Sequence, residues 1–109
     1  MENNLNNLNN LIKYIADNFK FTEEKYPALK NLSQEEKIRF ALKHSALHIS
    51  KTSGKISGIM EDGDHGNDLD IENLKINNTK VLISSLRLAE LLGMEEGEIL
   101  ERVKKILES

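Results

Sequence analysis

An acidic segment containing two glycines, residues 61–68, offers the side chains best suited to a metal ion in this chain. It reads Glu-Asp-Gly-Asp-His-Gly-Asn-Asp, and carboxylate oxygens are the ligands that Mg²⁺ and Ca²⁺ prefer. An EF-hand loop that begins at Asp62 needs Asp or Asn at its fifth position, Gly at its sixth and Glu at its twelfth. Those three positions hold different residues: Gly66, Asn67 and Asn73. The EF-hand is excluded, and a solvated turn is favoured over a looser site of Asp62, Asp64 and Asp68.

Two histidines, His44 and His48, are four residues apart, a spacing that places both on one helical face and suits zinc. The HExxH protease motif needs Glu directly after the first histidine, and Ser45 stands there. Nothing in the spacing connects His65 to the pair. We therefore favour two histidines at a helix surface or interface over a metal site.

Lysines recur at helical intervals in the middle of the chain, at Lys43, Lys51, Lys55, Lys75 and Lys80. If their helices face a common cleft, these ammonium groups could hold phosphate oxygens as flexible point charges. The alternative is a solvated face whose charge is balanced by the acidic segment.

Apolar residues spaced three and four apart predict four helices and no strand. The first has its apolar face from Leu5 to Phe19, and it lies in the asparagine-rich residues 1–20. The others are expected over residues 35–60, over residues 71–92 and from about Glu95 onward. Helices with short connections predict an all-α four-helix bundle in a single domain of 109 residues.

Local signals mark where these helices begin and end. Ser33 and Glu36 have the spacing of a capping box, and Asp68 or Asp70 is expected to cap the third helix. Gly93 fits a helix stop, and Pro27 ends or bends any helix in the connector before Ser33.

Composition excludes several classes of function. The net charge of −3 gives no general attraction to nucleic acid or to an anionic membrane. Without cysteine there is no disulfide, thiolate zinc site or thiol nucleophile. No apolar run is long enough to span a membrane, and the start of the chain lacks the pattern of a signal peptide, so we expect a cytoplasmic location.

Two stretches resemble the MazG-like all-α nucleotide pyrophosphohydrolases. Residues 40–57 resemble the first catalytic helix of that family. Residues 77–96 resemble its second, where Leu-Ala-Glu-Leu-Leu-Gly is followed by Met-Glu-Glu. The resemblance covers most of residues 33–109 and implies a MazG-like bundle there. It also implies self-association into a dimer or a tetramer.

The departures from the family bear on its chemistry. Its ExxE positions fall on Thr52 and Lys55, and its ExxD positions fall on Asn77 and Lys80, so none of the four is a carboxylate. The family uses those carboxylates to hold Mg²⁺, and lysines there would repel the ion. The resemblance therefore implies a pseudoenzyme without a cofactor. We expect a phosphate-bearing ligand, such as a nucleotide, or a protein partner; the predicted ligand-binding residues are Lys51, Thr52, Lys55, Asn77 and Lys80.

Two alternatives stay open. If the correspondence is displaced by a turn, the chain is an active nucleoside triphosphate pyrophosphohydrolase that uses Mg²⁺, and its metal ligands would be Glu61, Asp62, Asp70 and Glu72. In the second alternative, the chain is a helical dimerisation or adaptor module without a small ligand.

Overall fold

The computed structural model describes residues 5–109, and helices are the only regular secondary structure in this part of the chain, without a strand. It contains α1 (Leu8–Asn18), a short 3₁₀ turn (Pro27–Leu29), α2 (Gln34–Asp64), α3 (Ile71–Leu91) and α4 (Glu96–Glu108). The predicted all-α class and the four helices are confirmed for these residues. Residues 1–4 of the predicted asparagine-rich segment lie outside the described part. None of the described helices has the length and apolar character needed to cross a bilayer.

The start of α2 is fixed by the predicted capping box. The hydroxyl of Ser33 accepts from the N–H of Glu36 at 3.1 Å, and the Glu36 carboxylate accepts from the N–H of Ser33 at 3.0 Å. This second bond favours the ionised carboxylate and lowers the pKa of Glu36.

The end of α2 lies further along the chain than predicted. The first four residues of the acidic segment are helical. The backbone hydrogen bonds of α2 continue through them, and the N–H of His65 donates to the carbonyl of Glu61 at 3.2 Å. The break comes at Gly66, whose φ of +89° lies in the left-handed region that glycine adopts without strain. The predicted loop over residues 61–68 is therefore shorter, spanning residues 65–70.

α3 has the predicted ends. The carboxylate of Asp70 accepts from the N–H of Asn73 at 3.0 Å, which confirms Asp70 rather than Asp68 as the cap. Gly93 has a φ of +71°, and the N–H of Met94 donates to the carbonyl of Ala89 at 2.9 Å. This is the Schellman ending that a glycine at this position permits.

α2 and α3 form the main hairpin of the fold, since only six residues connect them. Their buried residues are mostly small or polar and include Ala41, Ser45, Thr52, Asn77 and Ser84. Several larger apolar residues that the periodicity placed on the packed faces are exposed instead: Ile38, Met60, Ile71, Leu82 and Leu92.

α1 packs against α3, and the apolar core lies at this contact. Ile12 and Ile15 of α1 meet Leu86 of α3, and Ile99 of α4 touches the margin of the cluster. The starts of α1 and α4 are also tied together at Glu96. Its carboxylate accepts from the N–H of Leu8 at 2.9 Å, while its own N–H donates to Oδ1 of Asn9 at 2.7 Å.

The rest of α4 is uncovered. No residue of this helix, which lies wholly in the described part of the chain, is buried. Its apolar face includes Ile106, 71% exposed, and Leu107, 79% exposed. α1 and α2 therefore pack against α3, whereas α4 leaves most of its surface open.

Candidate functional site

A cleft of about 420 Å³ opens between α2 and α3 near their connecting loop. The two helices run antiparallel, so residues late in α2 meet residues early in α3. Seven residues line the cleft: Lys55, Gly58, Ile59, Asp62, Asn73, Asn77 and Lys80. Two cations from different helices thus share one space with a carboxylate and two carboxamides.

The structure gathers three of the five predicted ligand-binding residues. Lys55, Asn77 and Lys80 line this cleft. Lys51 instead lines a smaller hollow beside His48. Thr52 is buried in α2, at 8% exposure, and is not part of the cleft lining.

Asn77 presents an unpaired acceptor although only 4% of its surface is exposed. Its Nδ2 donates to the carbonyl oxygen of Asn73 at 2.8 Å and to Oδ1 of Asn73 at 2.9 Å. These two acceptors identify the amide nitrogen and fix the orientation of the group. Its Oδ1 has no hydrogen-bond partner among residues 5–109. A buried acceptor left in this state carries a desolvation cost.

The charge of the cleft is positive. In the described part of the chain neither Lys55 nor Lys80 forms an ion pair, so both ammonium groups are available to an anion. Asp62 is the one acidic residue among those that line the cleft. Gly58 leaves the wall open, because a Cβ atom at this position would meet nothing within 4 Å.

The carboxylates of the alternative metal site are dispersed. Glu61 pairs with His65, with Oε1 and Nε2 3.6 Å apart, and Asp70 caps α3. Glu72 is exposed on the first turn of α3, and Asp62 alone lines the cleft. Between residues 5 and 109 no three His, Asp or Glu side chains converge in a way that could hold a metal ion.

The two histidines of α2 lie in an aromatic cluster that the sequence did not indicate. We define the aromatic cluster by its ring contacts: Phe19, Phe21, Tyr26, Phe40, His44 and His48. His44 stacks on Phe40 with ring centroids 4.0 Å apart, and His48 meets Phe19 edge-on at 5.6 Å. Nε2 of His48 lies 3.4 Å from the Tyr26 hydroxyl. Both histidines thus serve the packing of the connector onto α2, as the favoured interpretation of an interface requires.

Burial lowers the pKa of His48, and the nearby charges of His44 and Lys51 lower it further. The imidazole is therefore neutral at neutral pH. In that form one ring nitrogen donates a hydrogen bond and the other accepts one.

Comparison of the chain with protein-family models, with curated proteins and with solved structures gives no match in any of the three.

Proposed function

We propose that this chain is a divergent MazG-like helical protein that binds a phosphate-bearing ligand in the cleft between α2 and α3. It does not perform the Mg²⁺-dependent hydrolysis of that family. The observation that carries the proposal is the meeting of Lys55 and Lys80 in one cleft, without an ion-pair partner in residues 5–109 for either. The likeness of residues 40–57 and 77–96 to the family supports the choice of scaffold.

The chemistry of the cleft favours a ligand that has hydrogen-bond donors besides its phosphates. Two ammonium groups suit the oxygens of a polyphosphate. The exposed carboxylate of Asp62 is a hydrogen-bond acceptor at the cleft, and a donor on the ligand would offset its repulsion of the phosphate oxygens. A nucleotide supplies both kinds of group, since its ribose and base carry hydroxyl, amino or imino donors.

The same residues disfavour a catalytic metal. Asp62 is the single carboxylate at the cleft, whereas a Mg²⁺ site usually combines carboxylates with substrate phosphates. Two lysines beside the ion would add repulsion that the single carboxylate of Asp62 offsets only in part. A phosphate held by lysines alone lacks the metal-activated water that hydrolysis in this family needs.

Calorimetric titration with ATP in magnesium-free buffer at low salt tests the binding. We expect the double variant Lys55→Gln/Lys80→Gln to bind at least tenfold more weakly. The control Lys30→Gln/Lys104→Gln, which removes two exposed lysines outside the cleft, should bind as the parent does. Absence of binding by the parent chain, or equal weakening in both double variants, contradicts the proposal.

A pyrophosphate-release assay with Mg²⁺ or Mn²⁺ over a panel of nucleoside triphosphates tests the absence of hydrolysis. We expect none. Release that falls on substitution Glu61→Ala or Glu72→Ala would establish the alternative enzyme with displaced ligands.

We also propose that a second copy of the chain covers the open face of α4. Glu96, Glu98 and Glu101 lie in the first half of α4, whereas Arg102, Lys104 and Lys105 lie in its second half, together with Glu108 at its end. Two copies that pair antiparallel therefore place opposite charges side by side along an apolar seam, which favours a closed two-fold dimer. The adaptor alternative needs the same face for a different protein.

A further inference from the structure

A second cavity of about 420 Å³ lies beside the aromatic cluster, against the middle of the α2–α3 hairpin. α1 and the connector that follows it supply most of its wall, and His48 and Ile83 complete it from α2 and α3. It shares no lining residue with the lysine-bearing cleft, so this inference does not depend on the proposed function.

The wall of this cavity includes three aromatic residues. The chain has two tyrosines and no tryptophan, and both Tyr14 and Tyr26 line the cavity together with Phe19. Flat ring faces of this kind attract planar aromatic groups, which pack in offset or edge-to-face arrangements. The apolar residues Ile15 and Ile83 add contact area without competing hydrogen bonds.

The rim of the cavity is cationic. Lys20 and Lys25 line it, and no Asp or Glu belongs to the lining. Neither lysine is ion-paired with another residue in the described part of the chain. This differs from the lysine-bearing cleft, where Asp62 partly offsets the charge.

We infer that this aromatic cavity binds a planar aromatic anion, with its ring against Tyr14 and Tyr26 and its anionic group against Lys20 and Lys25. A ligand of this class is held by two separable interactions. Ring contact supplies burial of apolar surface, and the two ammonium groups supply charge attraction that salt weakens. An aryl carboxylate and a nucleoside monophosphate share this chemistry.

Titration with 2-naphthoate, followed by the NMR signals of the tyrosine rings, tests the inference. Because both tyrosines line the cavity, their signals report on this site. We expect 2-naphthoate to shift both ring systems at 50 mM salt, and the neutral 2-naphthylmethanol and the non-aromatic cyclohexanecarboxylate to bind at least about fivefold more weakly. A parallel titration with AMP assigns the natural source: tighter binding of AMP indicates a nucleotide, and tighter binding of 2-naphthoate indicates an aryl acid.

Matched variants locate the site. Lys20→Gln/Lys25→Gln should weaken 2-naphthoate binding about fivefold and remove most of its salt dependence, while Lys55→Gln/Lys80→Gln should leave it unchanged. Tyr14→Gln, at a partly exposed position, should weaken binding of the ring without unfolding the chain. Absence of shifts with both 2-naphthoate and AMP, or equal affinity for the acid and the alcohol, would overturn the inference whatever the result at Lys55 and Lys80.

Discussion

Arg87 on α3 holds the end of α1, because its Nε donates to the carbonyl oxygen of Phe19 at 2.8 Å. Its side chain is only 11% exposed, and its charge is balanced by Glu90 one turn further along α3. The guanidinium also lies 5.6 Å from the ring centroid of Phe21 in the connector. The side chain of Arg87 thus connects α3 to the end of α1 and to the connector, and it contacts the aromatic cluster at Phe19 and Phe21.

We expect Arg87→Leu to lower the free energy of unfolding by about 2 kcal/mol, because the Phe19 carbonyl loses a charge-assisted donor and Glu90 loses its partner. Glu90 is itself 41% exposed at its side chain, so Glu90→Gln should cost about 0.5 kcal/mol. Urea denaturation followed by circular dichroism measures both values. Equal losses in the two variants would show that the bond to Phe19 contributes nothing.

We expect the substitution Ser45→Ala to stabilise the folded chain. It is 0% exposed, and its hydroxyl has no hydrogen-bond partner in the described residues. Ser45→Ala removes that unsatisfied group, whereas Ser50→Ala on the exposed side of α2 changes only helix propensity. Denaturant melts should show Ser45→Ala more stable than Ser50→Ala by about 1 kcal/mol. A loss of stability at Ser45 would instead indicate that its hydroxyl is bonded.

The stability of the fold should fall as the pH is lowered through the range just below 6.5. The lowered pKa of His48 keeps the native imidazole neutral there, while the unfolded chain takes up a proton at the ordinary value of 6.5. The unfolded state then binds more protons, so stability rises with pH across this range and is lost in the acid direction.

Thermal melts between pH 5 and 8 measure this dependence. His48→Phe should flatten it, and the control His65→Gln, at a histidine 70% exposed in its side chain, should not. The nearby His44 and Lys51 stay in place in both variants. If stability depends on pH equally in His48→Phe and in the parent chain, His48 is not the source of the pH dependence.

Self-association should depend on the end of α4. We expect the parent chain to sediment as a dimer at micromolar concentration and Ile106→Ser/Leu107→Ser to weaken dimerisation at least tenfold, since both side chains are exposed in the single chain. Ile38→Ser, an exposed apolar residue on α2, is the control and should leave the dimer intact. A parent chain that remains monomeric would exclude the dimer and would favour a different protein as the partner of the apolar face of α4.

The sequence specified the helices better than their packing. The capping box of Ser33 and Glu36, the cap at Asp70 and the stop at Gly93 are local signals, and all three appear where they were predicted. The end of α2 was misplaced because the two glycines of the acidic segment look alike in sequence. Only Gly66 takes the left-handed conformation that ends the ladder.

The aromatic cluster could not be predicted, because its rings come from α1, the connector and α2, and no periodicity relates these segments. The structural role of Arg87 could have been inferred from the sequence, because Arg87 is the single charged residue in the otherwise uncharged, mostly apolar stretch of residues 81–89. The convergence of Lys55 with Lys80 needed only the correct pairing of two helices joined by a short loop. Lys51 and Thr52 lie one helical turn before Lys55 on α2, where Lys51 lines the hollow beside His48 and Thr52 is buried, so neither belongs to the cleft lining.

The proposed function requires that the cations of α2 and α3 hold a phosphate ligand. Residue-resolved ¹H–¹⁵N NMR during titration with ATP in magnesium-free buffer tests it most directly. We predict shifts concentrated on residues 55–62 and 73–80 that are lost in Lys55→Gln/Lys80→Gln. A spectrum that does not change over those residues, or changes there that persist in the double variant, would contradict it.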